Sequence, residues 1–268
     1  MVKIKNNLAI FTKGDSRNLP IVFIHGFPFD HKMWNNQTEE LSKEYFCVSY
    51  DIRGLGESPD GDGQYTMEMF ADDLMRIIKD LKLNKPVICG LSMGGYIALR
   101  TIEKFEKKFY AAILCDTKSV ADNNETKIKR ADGIKKINEF GVETFVNEFV
   151  PNCFAKESLS KPFYKENLAR SLGFSPTGIK GCLLAMAGRT DTTEYLSKIK
   201  IPVLVMCGEK DKLTPPNVME EMADKIPKSE FQVIPGAGHI SPLEKPEVVN
   251  NIIKKFLVSI EKAGKGVP

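Results

Sequence analysis

Histidine is scarce in this chain, and the scarcity narrows its chemistry. Only His25, His31 and His239 occur among 268 residues. They lie far apart and show no ligand spacing, so no metal centre is expected. No run of about 18 apolar residues is present, which argues against a membrane-spanning helix. The opening MVKIKNNLAIF has neither a long apolar stretch nor a small-residue cleavage site, so no signal peptide is read. The six cysteines form no CxxC pair, and Cys47, Cys89, Cys115 and Cys207 sit inside apolar runs. They read as small core residues in a reducing, cytoplasmic compartment rather than as a disulfide framework. Charge of one sign is also lacking. The net charge of +3 gives no strong pull toward nucleic acid or a membrane surface. Short basic pairs such as Lys107-Lys108 and Lys135-Lys136 read as solvated helix faces. The glycines near residue 90 lack a GxGxxG pattern, so no dinucleotide site is expected. These absences leave a cofactor-free protein, monomer or homodimer, whose partner is a small molecule.

Hydrophobic residues make up 42% of the chain, enough for the core of one large domain. Val2–Lys5 and Leu8–Phe11, separated by Asn6-Asn7, read as a hairpin. Short apolar runs follow at 20–24, 45–50, 86–89, 111–115, 202–207 and 231–234. Runs rich in Val and Ile with no polar alternation imply strands buried on both faces, which means a parallel sheet. Helical periodicity lies between them. Met67, Phe70, Leu74, Ile77, Ile78 and Leu81 recur at three-to-four spacing behind Thr66, an acceptable N-cap. The small, apolar stretch after Ser92 predicts a buried helix to about Phe105, and a last helix is expected from Pro246 to Ile260. The alternation predicts a doubly wound α/β fold. Between Thr117 and Ser197 no strand is legible, helical patterns dominate, and the stretch is too long for a loop. The expected organisation is therefore a core of residues 1–116 and 198–268 with a helical cap insertion at 117–197.

Gly90-Leu91-Ser92-Met93-Gly94 falls between an expected strand and an expected helix. In that context G-x-S-x-G puts a serine on a sharp turn with strained backbone angles. The residues two before and two after must be small, because strand and helix approach closely there. Ser92 is the candidate nucleophile, and the following helix N-terminus favours an oxyanion. A serine hydroxyl needs a base. His239, in Gly236-Ala237-Gly238-His239 after the last strand, is suitably placed. The base needs an orienting carboxylate, and Asp211 follows the strand ending at Cys207. Glu209 and Asp116 compete for that role, Asp116 because it follows the strand ending at Cys115. The backbone N–H groups of Phe27 and Met93 are the candidate oxyanion donors. His25 reads as a brace for the Phe27 loop, and His31 as a surface or pocket-edge residue. Trp34, Ile240, Phe154 and Phe163 are candidates for the substrate-pocket wall.

With these pieces in view, the sequence resembles the α/β-hydrolase superfamily over nearly its whole length. The matching segments are HGFPFD at 25–30, YDIRGLGES at 50–58, GLSMGGY at 90–96, GEKDKLTPP at 208–216 and GAGHISPLEKP at 236–246. It looks most like small bacterial carboxylesterases, 3-oxoadipate enol-lactonases and cofactor-free perhydrolases. The resemblance implies a mostly parallel central sheet flanked by helices, a helical cap after the strand ending at Cys115, and a structural rather than catalytic role for Asp51–Ser58. It implies a serine esterase of small, largely apolar esters working through an acyl-enzyme on Ser92. An enol-lactonase would need a cation in the cap, where Lys118, Lys129, Arg130 and Arg189 are available. Perhydrolysis is a side reaction open to the same site. A hydrolase-fold sensor with little turnover is the alternative of another class.

Overall fold

A computed structural model describes residues 2–5 and 8–265. In chain order the strands are β1 Val2–Lys5, β2 Leu8–Lys13, β3 Pro20–Ile24, β4 Phe46–Tyr50, β5 Val87–Leu91, β6 Ala111–Cys115, β7 Val203–Gly208 and β8 Ser229–Ile234. The helices are α1 Asn35–Leu41, α2 Met67–Asp80, α3 Met93–Phe105, α4 Asn124–Phe149, α5 Pro162–Leu172, α6 Pro176–Ala187, α7 Thr193–Leu196, α8 Pro216–Asp224, α9 Ser241–Glu244 and α10 Pro246–Lys265. Among the described residues the strands form one sheet of eight, in the order β1-β2-β4-β3-β5-β6-β7-β8. Every pairing from β4 to β8 is parallel, while β2 runs against both β1 and β4. The expected hairpin is present, with Val2 opposite Phe11 and Lys5 opposite Leu8. Its Asn6-Asn7 connection lies outside the described residues.

The sequence pattern has a direct physical outcome here. β3, β5, β6 and β7 are buried at every position, as continuous Val/Ile runs demand when helices cover both faces. β8, at the edge, is mostly exposed or half-buried and carries Glu230 and Gln232. α2 begins on Thr66, whose side chain accepts the Met69 N–H at 3.2 Å. Its stripe of Phe70, Leu74, Ile77 and Ile78 is buried as the periodicity predicts. α10 continues five residues past the expected Ile260.

All regular structure between β6 and β7 is helical. α4 bends at Gly141, whose φ of 82° is open to glycine without strain. Two features of this architecture position the site. The strand after β3 lies on one side of it and β5 lies on the other, so the loops after β3 and β5 open onto a shared crevice. The ends of β6, β7 and β8 reach the same edge of the sheet because all run parallel.

Candidate active site

Ser92 sits between β5 and α3 with φ 53° and ψ −114°. An L-residue in that region is strained, and the surrounding packing has to enforce it. The glycines show how. A Cβ on Gly90 would lie 2.3 Å from the Gly94 carbonyl oxygen, and one on Gly94 would lie 2.3 Å from the Ile24 carbonyl oxygen. The Ser92 N–H donates to the Cys115 carbonyl at 3.0 Å, and Thr117 Oγ1 donates to the Ser92 carbonyl at 2.8 Å. The turn is thus tied to β6 from both sides.

His239 Nε2 lies 2.8 Å from Ser92 Oγ, and His239 Nδ1 lies 2.8 Å from Asp211 Oδ2. Asp211 also accepts from the N–H groups of Leu213 and Thr214, at 2.8 and 3.1 Å, and from Thr214 Oγ1 at 2.6 Å. Burial works to raise the Asp211 carboxyl. The charge and hydrogen bond of His239, with the Thr214 donors, outweigh burial and hold it below its ordinary value. Asp211 therefore stays ionised next to the imidazole. Only with Nδ1 protonated can His239 donate to it, which leaves Nε2 free to accept from Ser92 Oγ.

The competing carboxylates go elsewhere. Asp116 is wholly buried behind the site. It accepts from the Gly208 N–H at 2.7 Å and lies 2.6 Å from Ser241 Oγ. Burial, then the nearby Asp211 charge, raise it well above the ordinary carboxylate value. Glu209 turns outward and accepts the Gly236 N–H at 2.8 Å.

The loop after β3 is braced as its histidine suggests. His25 is fully buried, Nδ1 meets the Gly26 carbonyl at 2.9 Å, and Nε2 accepts the Ile52 N–H at 2.9 Å. Burial depresses its basicity, which keeps the ring neutral in these two bonds. His31 is largely buried at the edge of a second pocket, which does not include Ser92: its Nδ1 lies 2.8 Å from Asp51 Oδ1, and its ring stacks on Phe11 at 3.4 Å. α5 holds the same loop from above, with Ser171 Oγ donating to the Pro28 carbonyl at 2.6 Å and Arg170 Nε pairing with Asp30 at 2.9 Å. Met93 follows Ser92 and opens α3, where an N–H has no partner within its helix, and Phe27 lines the same cavity as Ser92.

A cavity of about 400 Å³ reaches Ser92 and His239. Phe27, Phe145, Phe149, Leu183, Met186 and Leu213 supply its apolar wall. Lys118, Lys129, Arg130 and Lys212 line it too. The four residues expected at the wall need correction. Trp34 is wholly buried in the core against Phe23, with ring centroids 5.2 Å apart. Ile240 is fully buried just ahead of α9. Phe154 packs on Phe29 and Tyr164, at 6.0 and 5.2 Å, and Phe163 lies behind Phe154 at 6.3 Å. None of the four lines the cavity. Phe145 and Phe149 do so instead. They stack at 5.5 Å on one face of α4, an i,i+4 pair that the sequence displays without naming its direction.

Among the described residues no group of three or more His, Cys, Asp or Glu side chains could hold a metal ion, and no helix is long and apolar enough to cross a membrane. The six cysteines are buried and unpaired.

Comparison with known proteins identifies the family. Residues 21–252 match the family model described as alpha/beta hydrolase family. 3-Oxoadipate enol-lactonase 1 of Acinetobacter baylyi is 31% identical over 260 residues, covering 95% of this chain and 94% of that protein. AB hydrolase superfamily protein YisY of Bacillus subtilis is 28% identical, covering 95% and 97%. A thermophilic esterase from Thermogutta terrifontis, solved with malate bound, superposes with a TM-score of 0.90 at 37% identity, covering 94% of this chain and 93% of that one. The chain belongs to the α/β-hydrolase family.

Proposed function

We propose that the protein is a serine esterase that cleaves carboxylic esters of small molecules through an acyl-enzyme on Ser92. The observation that carries this reading is the unbroken chain Ser92 Oγ–His239–Asp211, two contacts of 2.8 Å at the floor of a cavity. In the proposed reaction Ser92 Oγ attacks the ester carbonyl and its proton passes to His239 Nε2. Asp211 holds the imidazole and stabilises the imidazolium. The N–H groups of Phe27 and Met93 bind the oxyanion, an arrangement worth about 2.7–4 kcal/mol per donor in such sites. The intermediate collapses, and the alcohol leaves with the proton from His239. Water, deprotonated by His239, then attacks the acyl carbonyl. The acid departs and Ser92 regains its proton.

Residues 117–197 act in this reading as a cap over the cavity, and residues 1–116 with 198–268 as the catalytic core. Buried, unpaired cysteines support a cytoplasmic setting. Lactone hydrolysis is a second reading with its own support, the 31% identity to an enol-lactonase. The same attack on a cyclic ester gives one product instead of two.

Turnover of 4-nitrophenyl acetate and butyrate, measured beside 3-oxoadipate enol-lactone, tests both readings. The esterase reading expects the acyclic esters to be turned over at least as fast as the lactone. A protein that binds these molecules without turning any over would refute hydrolysis altogether.

A further inference from the structure

Asp122 has three cations around it, two of which, Lys118 and Arg130, line the Ser92 cavity. Asp122 is buried and pairs with Arg130 Nε at 2.7 Å and Arg189 Nη2 at 3.1 Å. Arg189 also lies 4.0 Å over the Tyr96 ring and donates from Nη2 to the Val120 carbonyl, while its buried Nε has no hydrogen-bond partner among the described residues. Asp191, a second acid near Arg189, accepts from the N–H groups of Ala121 and Thr193 at 3.0 and 2.8 Å.

Lys118 is the third cation. It follows β6 by three residues, is half-buried and lines the cavity with Ser92. Among the described residues its ammonium has neither an ion-pair nor a hydrogen-bond partner. Burial, then the charges of Arg189 and Arg130, press it below the ordinary lysine value, and Asp122 offsets only part of that. No Asp or Glu among the described residues lines the cavity. Lys129 differs: it pairs with Glu125 at 2.7 Å on the exposed rim.

A half-buried ammonium without a partner is costly, and an anion from outside would relieve it. We propose that the substrate carries a carboxylate in addition to its reacting carbonyl, and that Lys118, with Arg130 behind it, binds that group. The apolar wall of Phe145, Phe149 and Leu183 then takes the carbon skeleton between the two. This rests on the hydrolase reading and narrows it to esters or lactones of dicarboxylic or hydroxy-carboxylic type.

Matched ester pairs test it. On the acyl side the pair is 4-nitrophenyl butyrate and mono-4-nitrophenyl glutarate. On the alcohol side it is phenyl butyrate and 4-carboxyphenyl butyrate. The quantity read is the anionic-to-neutral ratio of kcat/KM, so any loss common to both members cancels. The proposal expects a ratio of ten or more in one pair, carried mainly by KM. Lys118→Met should lower that ratio at least ten-fold, and Lys118→Arg should restore most of it. Neutral esters turned over with a ratio near one in both pairs, or a ratio unchanged in Lys118→Met, would overturn the proposal and leave the hydrolase standing. No turnover of any of the four esters would overturn the hydrolase reading, and the proposal with it.

Discussion

Glu244 holds the residue before His239 in place: its carboxylate accepts the Gly238 N–H at 2.8 Å. Its other oxygen accepts the Ala155 N–H at 3.0 Å and the Ser158 hydroxyl. One buried carboxylate therefore ties the histidine loop to the helical segment that follows β6. Burial raises this carboxyl above its ordinary value despite those donors. Glu244→Ala would leave three donors without an acceptor, each costing roughly 1–3 kcal/mol if it stays buried. The expected result is a loss of at least about 2 kcal/mol in denaturant unfolding, with a fall in kcat larger than the change in KM. Glu244→Gln keeps an acceptor and should recover part of both.

Two aspartates near His239 should respond in opposite ways. Asp211→Asn removes the carboxylate that fixes the imidazole tautomer, and a drop of about four orders of magnitude in kcat is expected. Asp116→Asn should keep most activity. Burial and the Asp211 charge favour its protonated form, and an uncharged asparagine keeps an acceptor for the Gly208 N–H. The sign for stability follows. A carboxyl raised by folding weakens the fold as pH climbs from its unfolded value toward its folded one. Asp116→Asn should therefore gain relative to wild type in melting temperature as pH rises above the ordinary carboxylate value of 3.8. Equal activity losses in the two variants would contradict this division of roles.

Asp51 gives the reverse pH dependence. It is buried and accepts from the His31 N–H at 2.7 Å, His31 Nδ1 at 2.8 Å and the Glu57 N–H at 2.8 Å. Burial opposes its charge, but the His31 hydrogen bond, with the Glu57 N–H, helps to hold it below its ordinary 3.8. A lowered carboxyl stabilises the fold above its unfolded value, and that contribution fades as pH falls through the folded one. Asp51→Asn should cost about 1–3 kcal/mol at pH 7. The gap from wild type should narrow below pH 3.8, where wild-type Asp51 takes up its proton. Thermal melts from pH 7 to 3 measure it.

Much of this was legible in the sequence because it is local. The Val/Ile runs become buried parallel strands. Gly90 and Gly94 reveal the tight turn at Ser92 because only glycine fits those spacings. Chain order leaves both Asp116 and Asp211 between Ser92 and His239, and only the folded chain shows that Asp211 is the one that meets His239 Nδ1. What stayed hidden depends on where a side chain points once the chain has folded. Phe154 and Phe145 are the same residue type nine positions apart, yet one packs on Phe29 and the other faces the cavity. The burial of His31 was hidden because its partners, Phe11 on β2 and Asp51 just after β4, are distant from it in sequence. The unpaired state of Lys118 is likewise a tertiary fact: Asp122 lies four residues away and is already taken by two arginines.

The central claim is a covalent acyl group on Ser92. Intact-mass and peptide mass spectrometry of protein quenched during turnover of 4-nitrophenyl butyrate tests it most directly. The account predicts one butyryl group on the Ser92 peptide of wild type, and neither adduct nor turnover in Ser92→Ala. Wild-type turnover by Ser92→Ala, or an adduct on another residue, would contradict it.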